Sequence, residues 1–152
     1  MNMQAILQKY EKSTDNLLGL LHDLQDANEQ HYLTPGSMDA VAKYLGVPIG
    51  YVYGVATFYT MFSLKPRGRY IVRVCQSPPC HLLGSTDVSR ELIEVLGVGF
   101  GETTADGQFT LEMSSCLGVC GVAPAMMIND EVYGNLTVSR ILEIIEDLRR
   151  VK

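Results

Sequence analysis

Four cysteines fall into two closely spaced pairs, Cys75-Gln-Ser-Pro-Pro-Cys80 and Cys116-Leu-Gly-Val-Cys120. Thiolates are the side-chain ligands preferred by soft metals and iron-sulfur clusters, so two thiol-bearing loops in one chain point to a single metal centre. Spacing helps to choose the metal. Structural zinc usually draws on cysteines only a few residues apart, most often with two between them, whereas here four and three residues intervene. A [2Fe-2S] cluster is wider than one ion and takes two thiolates per iron. The longer spacers suit that larger target.

The intervening residues favour the same chemistry. Gly118 and Gly121 flank Cys120, and a backbone without side chains can approach closely and aim its N–H groups at sulfur. Pro78 and Pro79 stiffen the approach to Cys80 and offer no N–H, so fewer donors are expected around the first pair than around the second. A disulfide framework is less favoured, because that device belongs to small secreted chains and no signal peptide is evident. Zinc remains the other alternative. A thioredoxin-like dithiol would need C-x2-C, which is absent. His81 stands beside Cys80 and is read as a capping or solvent residue rather than a ligand.

Cys75-x4-Cys80, followed by Ser115-Cys116-Leu-Gly-Val-Cys120-Gly-Val-Ala-Pro-Ala125, resembles the thioredoxin-like [2Fe-2S] ferredoxin family. Gly54-Val-Ala-Thr-Phe-Tyr59 and Pro66-Arg-Gly68 resemble it too. Within the family the likeness is to the small subunit beside the flavin subunit of NADH dehydrogenases: the E subunit of complex I and the gamma-type subunits of NAD(P)-linked iron hydrogenases and formate dehydrogenases. The resemblance implies one [2Fe-2S] cluster held by Cys75, Cys80, Cys116 and Cys120. It also implies a thioredoxin-like fold, with FMN and NAD(P)H bound by the partner subunit. Ser115 stands where the family commonly has an acidic residue, a departure that bears on cluster potential rather than on the ligands.

Length and composition set the outer bounds. The chain has 152 residues, 47% of them hydrophobic, and a net charge of -5. That is enough for one ordinary domain or a small domain with an appendage. An acidic balance disfavours a protein whose affinity comes from neutralising phosphates. No apolar run reaches the length of a membrane span, and the first ten residues lack a signal peptide's charged-then-apolar order. A cytoplasmic protein without direct membrane contact is expected.

The elements that must position the cysteines can be read in outline. Leu17, Leu18, Leu21 and Leu24 recur at helical spacing after Asp15, a good N-cap. Ser37 caps a short helix ending at Leu45, where Gly46 and Pro48 stop it, and another segment starts near Ile49. That pair imitates a helix-turn-helix, which keeps open a remote alternative, an iron-sulfur-sensing DNA-binding regulator. Charge opposes it: residues 1–64 carry three lysines against six carboxylates, and none of the bases lies in the would-be recognition helix. The aromatics Tyr51, Tyr53, Phe58, Tyr59 and Phe62 read either as a core seam joining the helical part to the second domain or as a docking surface. His22 and His31 are placed alone on helical faces, and Met126-Met127 is read as core filling.

Lys65-Pro-Arg-Gly-Arg69 marks the boundary, giving an N-terminal helical segment over 1–65 and a thioredoxin-like [2Fe-2S] domain over 66–152. Tyr70 to Val74 predicts a strand ending at Cys75, and residues 87–96 predict a helix stopped by Gly97. Asp106-Gly107 predicts a hairpin that pairs Phe109 to Met113 back on residues near Glu102 to Thr104. Ala125 to Asn129 predicts a strand, Val132-Tyr133 another after a turn, and residues 138–148 a last helix with Ile141, Leu142, Ile145 and Leu148 on one side. The fold class expected is α+β.

A cluster with four cysteine ligands has no open coordination position, so one-electron transfer is the chemistry left to it. No G-x-G-x-x-G, P-loop, catalytic triad or paired-carboxylate site is evident, and no catalytic residue is assigned. The chain therefore reads as the electron-transfer subunit of an NAD(P)H-linked oxidoreductase, not catalytic by itself. Its expected partners are a flavin- and NAD(P)H-binding iron-sulfur subunit and a larger hydrogenase, formate dehydrogenase or complex I iron-sulfur subunit. The short chain favours the soluble hydrogenases and formate dehydrogenases, some of them electron-bifurcating, over the E subunit of respiratory complex I.

Overall fold

A computed structural model describes residues 2–151. The chain divides into two compact units, one up to Arg67 and one from Gly68 onward.

The first unit is helical: α1 (Met3–Gln8), α2 (Leu17–Asp26), α3 (Pro35–Leu45) and α4 (Ile49–Phe58). Asp15 is not the cap of α2; it lies in a 3-10 turn, Thr14–Asn16, where its own N–H donates to Ser13 Oγ. The stripe that faces the core is Leu17, Leu20, Leu21 and Leu24, while Leu18 is exposed. The 3-10 turn winds more tightly than an α-helix, which rotates the stripe from the phase read off Leu18. Thr34, not Ser37, caps α3: its Oγ1 accepts the Ser37 N–H at 3.0 Å, with Pro35 in the first turn, where the missing N–H costs nothing. Gly46 ends α3 with φ 70°, in the left-handed region.

The aromatic cluster divides. Phe62 is buried in this unit's own core and Tyr59 packs partly against it, whereas Tyr51, Tyr53 and Phe58 are 51%, 52% and 76% exposed. His31 is not on a helix: it sits in a turn with φ 48°, and its carbonyl accepts from Arg67 Nε. His22 Nε2 lies 2.8 Å from Met61 Sδ, its ring against Phe62.

The second unit is a sheet with helices on one face. Its strands are β1 (Tyr70–Cys75), β2 (Glu102–Thr103), β3 (Phe109–Ser114), β4 (Met126–Ile128) and β5 (Glu131–Tyr133). Between β1 and β2 come α5 (Pro78–Leu82) and α6 (Ser85–Leu96), and α7 (Val138–Arg150) closes the chain. The strand order is β2-β3-β1-β4-β5. Among the described residues only β1 and β3 run parallel; β2 pairs with β3, β4 with β1 and β5 with β4 in antiparallel fashion. Strand alternation puts Tyr70, Val72 and Val74 on one face, where they form a core with Val88, Leu92, Phe109, Leu111, Ile141 and Ile145. Each fully buried aliphatic there is worth roughly 1.5–3 kcal/mol over its exposed state. On the opposite face Arg73 and Glu112, in register, form a half-buried ion pair at 3.2 Å.

Leu142 is 38% exposed, and the buried positions of α7 are Ile141 and Ile145. Met126 is fully buried and Met127 half-buried. The α+β class holds. Among the described residues no helix is long and apolar enough to cross a membrane.

Candidate metal centre

Two parallel strands deliver the cysteines to one place. In the β1–β3 register Cys75 faces Ser114, so both strands end side by side and each runs on into a cysteine loop. Such a parallel pair puts its carboxyl-terminal loops at the same edge, the usual location of ligand sites in sheets of this kind. Strand β4 starts from that edge too, with Met126 opposite Val74, so the segment carrying Cys116 and Cys120 leaves β3 and re-enters the sheet there.

Cys80 does not lie in an open loop. It sits in the one-turn helix α5, begun by Pro78 and Pro79. Backbone bonds hold the walls in place: the Cys75 N–H donates to the Ala125 carbonyl at 3.2 Å, and the Gln76 N–H to the Ser114 carbonyl at 3.1 Å. The 3-10 turn Cys120–Val122 is pinned by the Asn135 N–H, 2.6 Å from the Val122 carbonyl. Gly134 permits this approach, since a Cβ there would lie 2.7 Å from the Val122 oxygen.

The four sulfurs form an inner and an outer pair. Cys75 and Cys80 are both 2% exposed and pack with Ala125, Leu117, Val119 and Ala123; Cys116 and Cys120 are exposed. The sulfurs of Cys116 and Cys120 lie 3.9 Å apart. Two tetrahedral thiolates about 2.3 Å from one metal ion would be roughly 3.8 Å apart. All four cysteines are free thiols.

Electrostatics tie the pairs together. Burial by itself would push the Cys75 thiol up, but the Ser77 and Leu117 backbone N–H groups, with the Cys80 and Ser77 side chains, bring it below its ordinary value. Burial and the hydrogen bond with Cys75 push Cys80 up, against the Ala125 N–H, and Cys120 adds a repulsion from the second loop. The hydrogen bond to Cys116 and its charge push Cys120 up, with Cys75 contributing. Each pair therefore feels the other.

The donors fall the other way from the sequence expectation. The first pair collects the N–H groups of Ser77, Leu117 and Ala125, while the second has the N–H of Cys120 itself and that of Gly118, 3.4 Å from Cys116 Sγ. Pro78 and Pro79 do withhold donors, but tertiary neighbours supply them instead. Leu117 and Ala125 could not be found from sequence, because nothing local marks a backbone group that reaches another loop. Ser77, two residues beyond Cys75, carried a local signal. Gly121 faces open space. His81 is exposed, its Nδ1 3.4 Å from Thr86 Oγ1.

This donor set fits an iron-sulfur cluster. It offers thiols in two pairs, backbone N–H groups aimed at sulfur, and an apolar wall. Among the described residues no three His, Cys, Asp or Glu side chains gather as round a single ion. The groove along α4, lined by Gly50, Tyr51, Gly54, Val55, Phe58 and Tyr59, contains no carboxylate, thiol or imidazole.

The sequence profile of the thioredoxin-like [2Fe-2S] ferredoxin family matches residues 3–149. The E subunit of the NADH-quinone oxidoreductase of Pseudomonas aeruginosa is 41% identical over 118 residues, covering 78% of this chain and 71% of that one. The protein of the same name from Rickettsia conorii is 40% identical over 148 residues, covering 96% and 88%. Among solved structures, an NAD+-reducing [NiFe]-hydrogenase in the air-oxidized state matches with TM-score 0.79 at 24% identity. The match covers 91% of this chain but 24% of the hydrogenase chain, so the likeness is one of fold.

Proposed function

Because this chain belongs to the thioredoxin-like [2Fe-2S] ferredoxin family, we propose that Cys75, Cys80, Cys116 and Cys120 hold one [2Fe-2S] cluster. The chain then serves as the one-electron carrier of an NADH-linked oxidoreductase complex, docked to a subunit that binds flavin and nicotinamide nucleotide. The observation that carries this reading is the convergence of both cysteine loops at the end of the parallel strands, with one pair buried and one exposed. When bound, the cluster supplies reversible one-electron chemistry. The N–H groups of Ser77, Leu117, Ala125 and Gly118 stabilise the extra negative charge on sulfur. Leu117, Val119 and Ala123 keep water from the inner pair.

Among the complexes, the E subunit of an NADH-quinone oxidoreductase is the preferred identity. Relatives carrying that name are 38–41% identical over most of this chain, which reverses the order suggested by chain length. An NAD-linked hydrogenase subunit is the second reading, supported by the match in fold. A DNA-binding role gains nothing from α3 and α4, since α4 carries no charged residue.

Iron, acid-labile sulfide and electron paramagnetic resonance test the reading on anaerobically purified, dithionite-reduced protein. About two irons, two sulfides and one unpaired spin per chain are expected. Zinc without iron, in protein kept from oxygen, would overturn it.

A further inference from the structure

The outer cysteines stand close enough to react with each other. The sulfurs of Cys116 and Cys120 lie 3.9 Å apart, and both side chains are exposed. A disulfide needs about 2.05 Å between its sulfurs, so closing the pair takes a side-chain swing within one short loop. That loop can adjust: Gly118, midway between the two cysteines, takes φ 78° and has nothing within 4 Å of an added Cβ, and glycine is the residue least restrained in backbone angle.

The inner pair differs in both respects. Cys75 and Cys80 are each 2% exposed, packed against Leu117, Val119 and Ala123. Cys80 is held in α5 behind Pro78 and Pro79, whose rings fix φ. Thiol–disulfide exchange depends on access to sulfur. A dissolved oxidant therefore meets the outer pair first and the inner pair only after local opening of the unit.

We infer that Cys116 and Cys120 form a reversible disulfide in the chain before its cluster is inserted, and that this bond bars insertion until it is reduced. The inference rests on the reading of the four cysteines as cluster ligands. The oxidant is a small disulfide of the oxidised-glutathione class. One outer sulfur, as thiolate, attacks it; a mixed disulfide forms, the small S–S bond breaks, and one glutathione leaves as thiolate. The other outer sulfur then attacks the mixed disulfide, forming the Cys116–Cys120 bond and releasing the second glutathione. The two protein thiols give up two electrons and two protons, and the small disulfide takes up both and leaves as two thiols. Exposed disulfides belong to the labile class, so a reducing compartment returns this one to thiols. While it lasts, one iron of a [2Fe-2S] cluster would lack its two thiolates. The thiol–disulfide balance around the newly made chain thereby controls loading.

The test incubates the full metal-free chain anaerobically in glutathione buffers of rising oxidised share, alkylates the free thiols and maps the peptides by mass spectrometry. A Cys116–Cys120 disulfide, two hydrogens lighter, is expected at ratios that still leave Cys75 and Cys80 open to alkylation once the protein is denatured. Reduction with tris(2-carboxyethyl)phosphine should restore all four thiols. In Cys120→Ser the exchange should stop at its first step, with glutathione left on Cys116. Cluster transfer from a loaded [2Fe-2S] scaffold protein, followed by visible absorbance, should be lost with the oxidised wild-type chain and recover after reduction. Oxidation of Cys75 or Cys80 ahead of the outer pair, bonds between loops or between chains, or four thiols left free throughout would overturn the inference, as would unimpaired transfer to oxidised chain. Zinc without iron in the anaerobically purified protein would overturn the cluster reading separately, and the peptide map would still decide whether the outer pair closes.

Discussion

The backbone N–H of Gly118 points at the sulfur of Cys116 from 3.4 Å, and it does so from a φ of +78°. That backbone region is open to glycine and strained for β-branched residues. Gly118→Val should therefore cost about 1–3 kcal/mol or swing the N–H off the sulfur. Losing a donor to sulfur disfavours the reduced state, so the midpoint potential should fall. Potentiometric titration followed by paramagnetic resonance, beside a thermal melt, measures both effects; an unchanged potential would show that Gly118 acts on folding alone.

Cys120 is exposed yet electrostatically tied to Cys116 and Cys75. Cys120→Ser should lower iron content or alter the cluster spectrum, because an alcohol is a poorer ligand than a thiolate for iron. Unchanged iron and spectrum would remove Cys120 from the ligand set.

Two glycines should respond oppositely to alanine. At Gly68 a Cβ would come within 2.8 Å of the Gln108 carbonyl carbon and 2.9 Å of the Phe109 one, both backbone atoms that cannot step aside. Gly68→Ala should destabilise by about 1–3 kcal/mol. Gly50 lies in α4 with nothing within 4 Å of the added methyl, so Gly50→Ala should stabilise by about 0.5–1 kcal/mol. Urea midpoints of the two variants decide it.

Tyr133 donates its hydroxyl to Glu131 at 2.7 Å. That bond, helped by burial and the carboxylate charge, pushes the phenol from its ordinary value of 10.0 up to about 12. The neutral phenol is thus favoured in the folded chain. Its contribution is complete below pH 10 and drains away as pH rises towards 12, because the unfolded chain loses the proton first. Relative to Tyr133→Phe, wild-type protein should lose stability more steeply between about pH 10 and about pH 12. Parallel urea curves for both proteins across that range would rule the contribution out.

Much of the local structure is legible in the sequence because its signals are short-range. Gly46 and Gly97 both take a left-handed φ and end their helices. The Asp106-Gly107 turn sets the β2–β3 pairing, with Glu102 opposite Leu111. Sequence and structure part where two nearby residues could do the same job. Thr34 and Ser37 can each cap a helix, and Pro35 decides between them by occupying the first turn. Leu18 and Leu20 both fit a helical stripe, and the 3-10 turn ahead of α2 selects the second.

By itself the sequence determined the chemistry available: four thiols in two pairs, glycine where a backbone must bend, and loops without charge, since residue types carry these properties into any fold. The parallel pairing of β1 with β3 was decided only in three dimensions. No local pattern in either strand states its partner, and the pairing follows from α6 and α7 covering one face of the sheet. From it come the meeting of the cysteine loops, the inner and outer pairs, and the donors Leu117 and Ala125 that reach Cys75 and Cys80 from elsewhere in the chain.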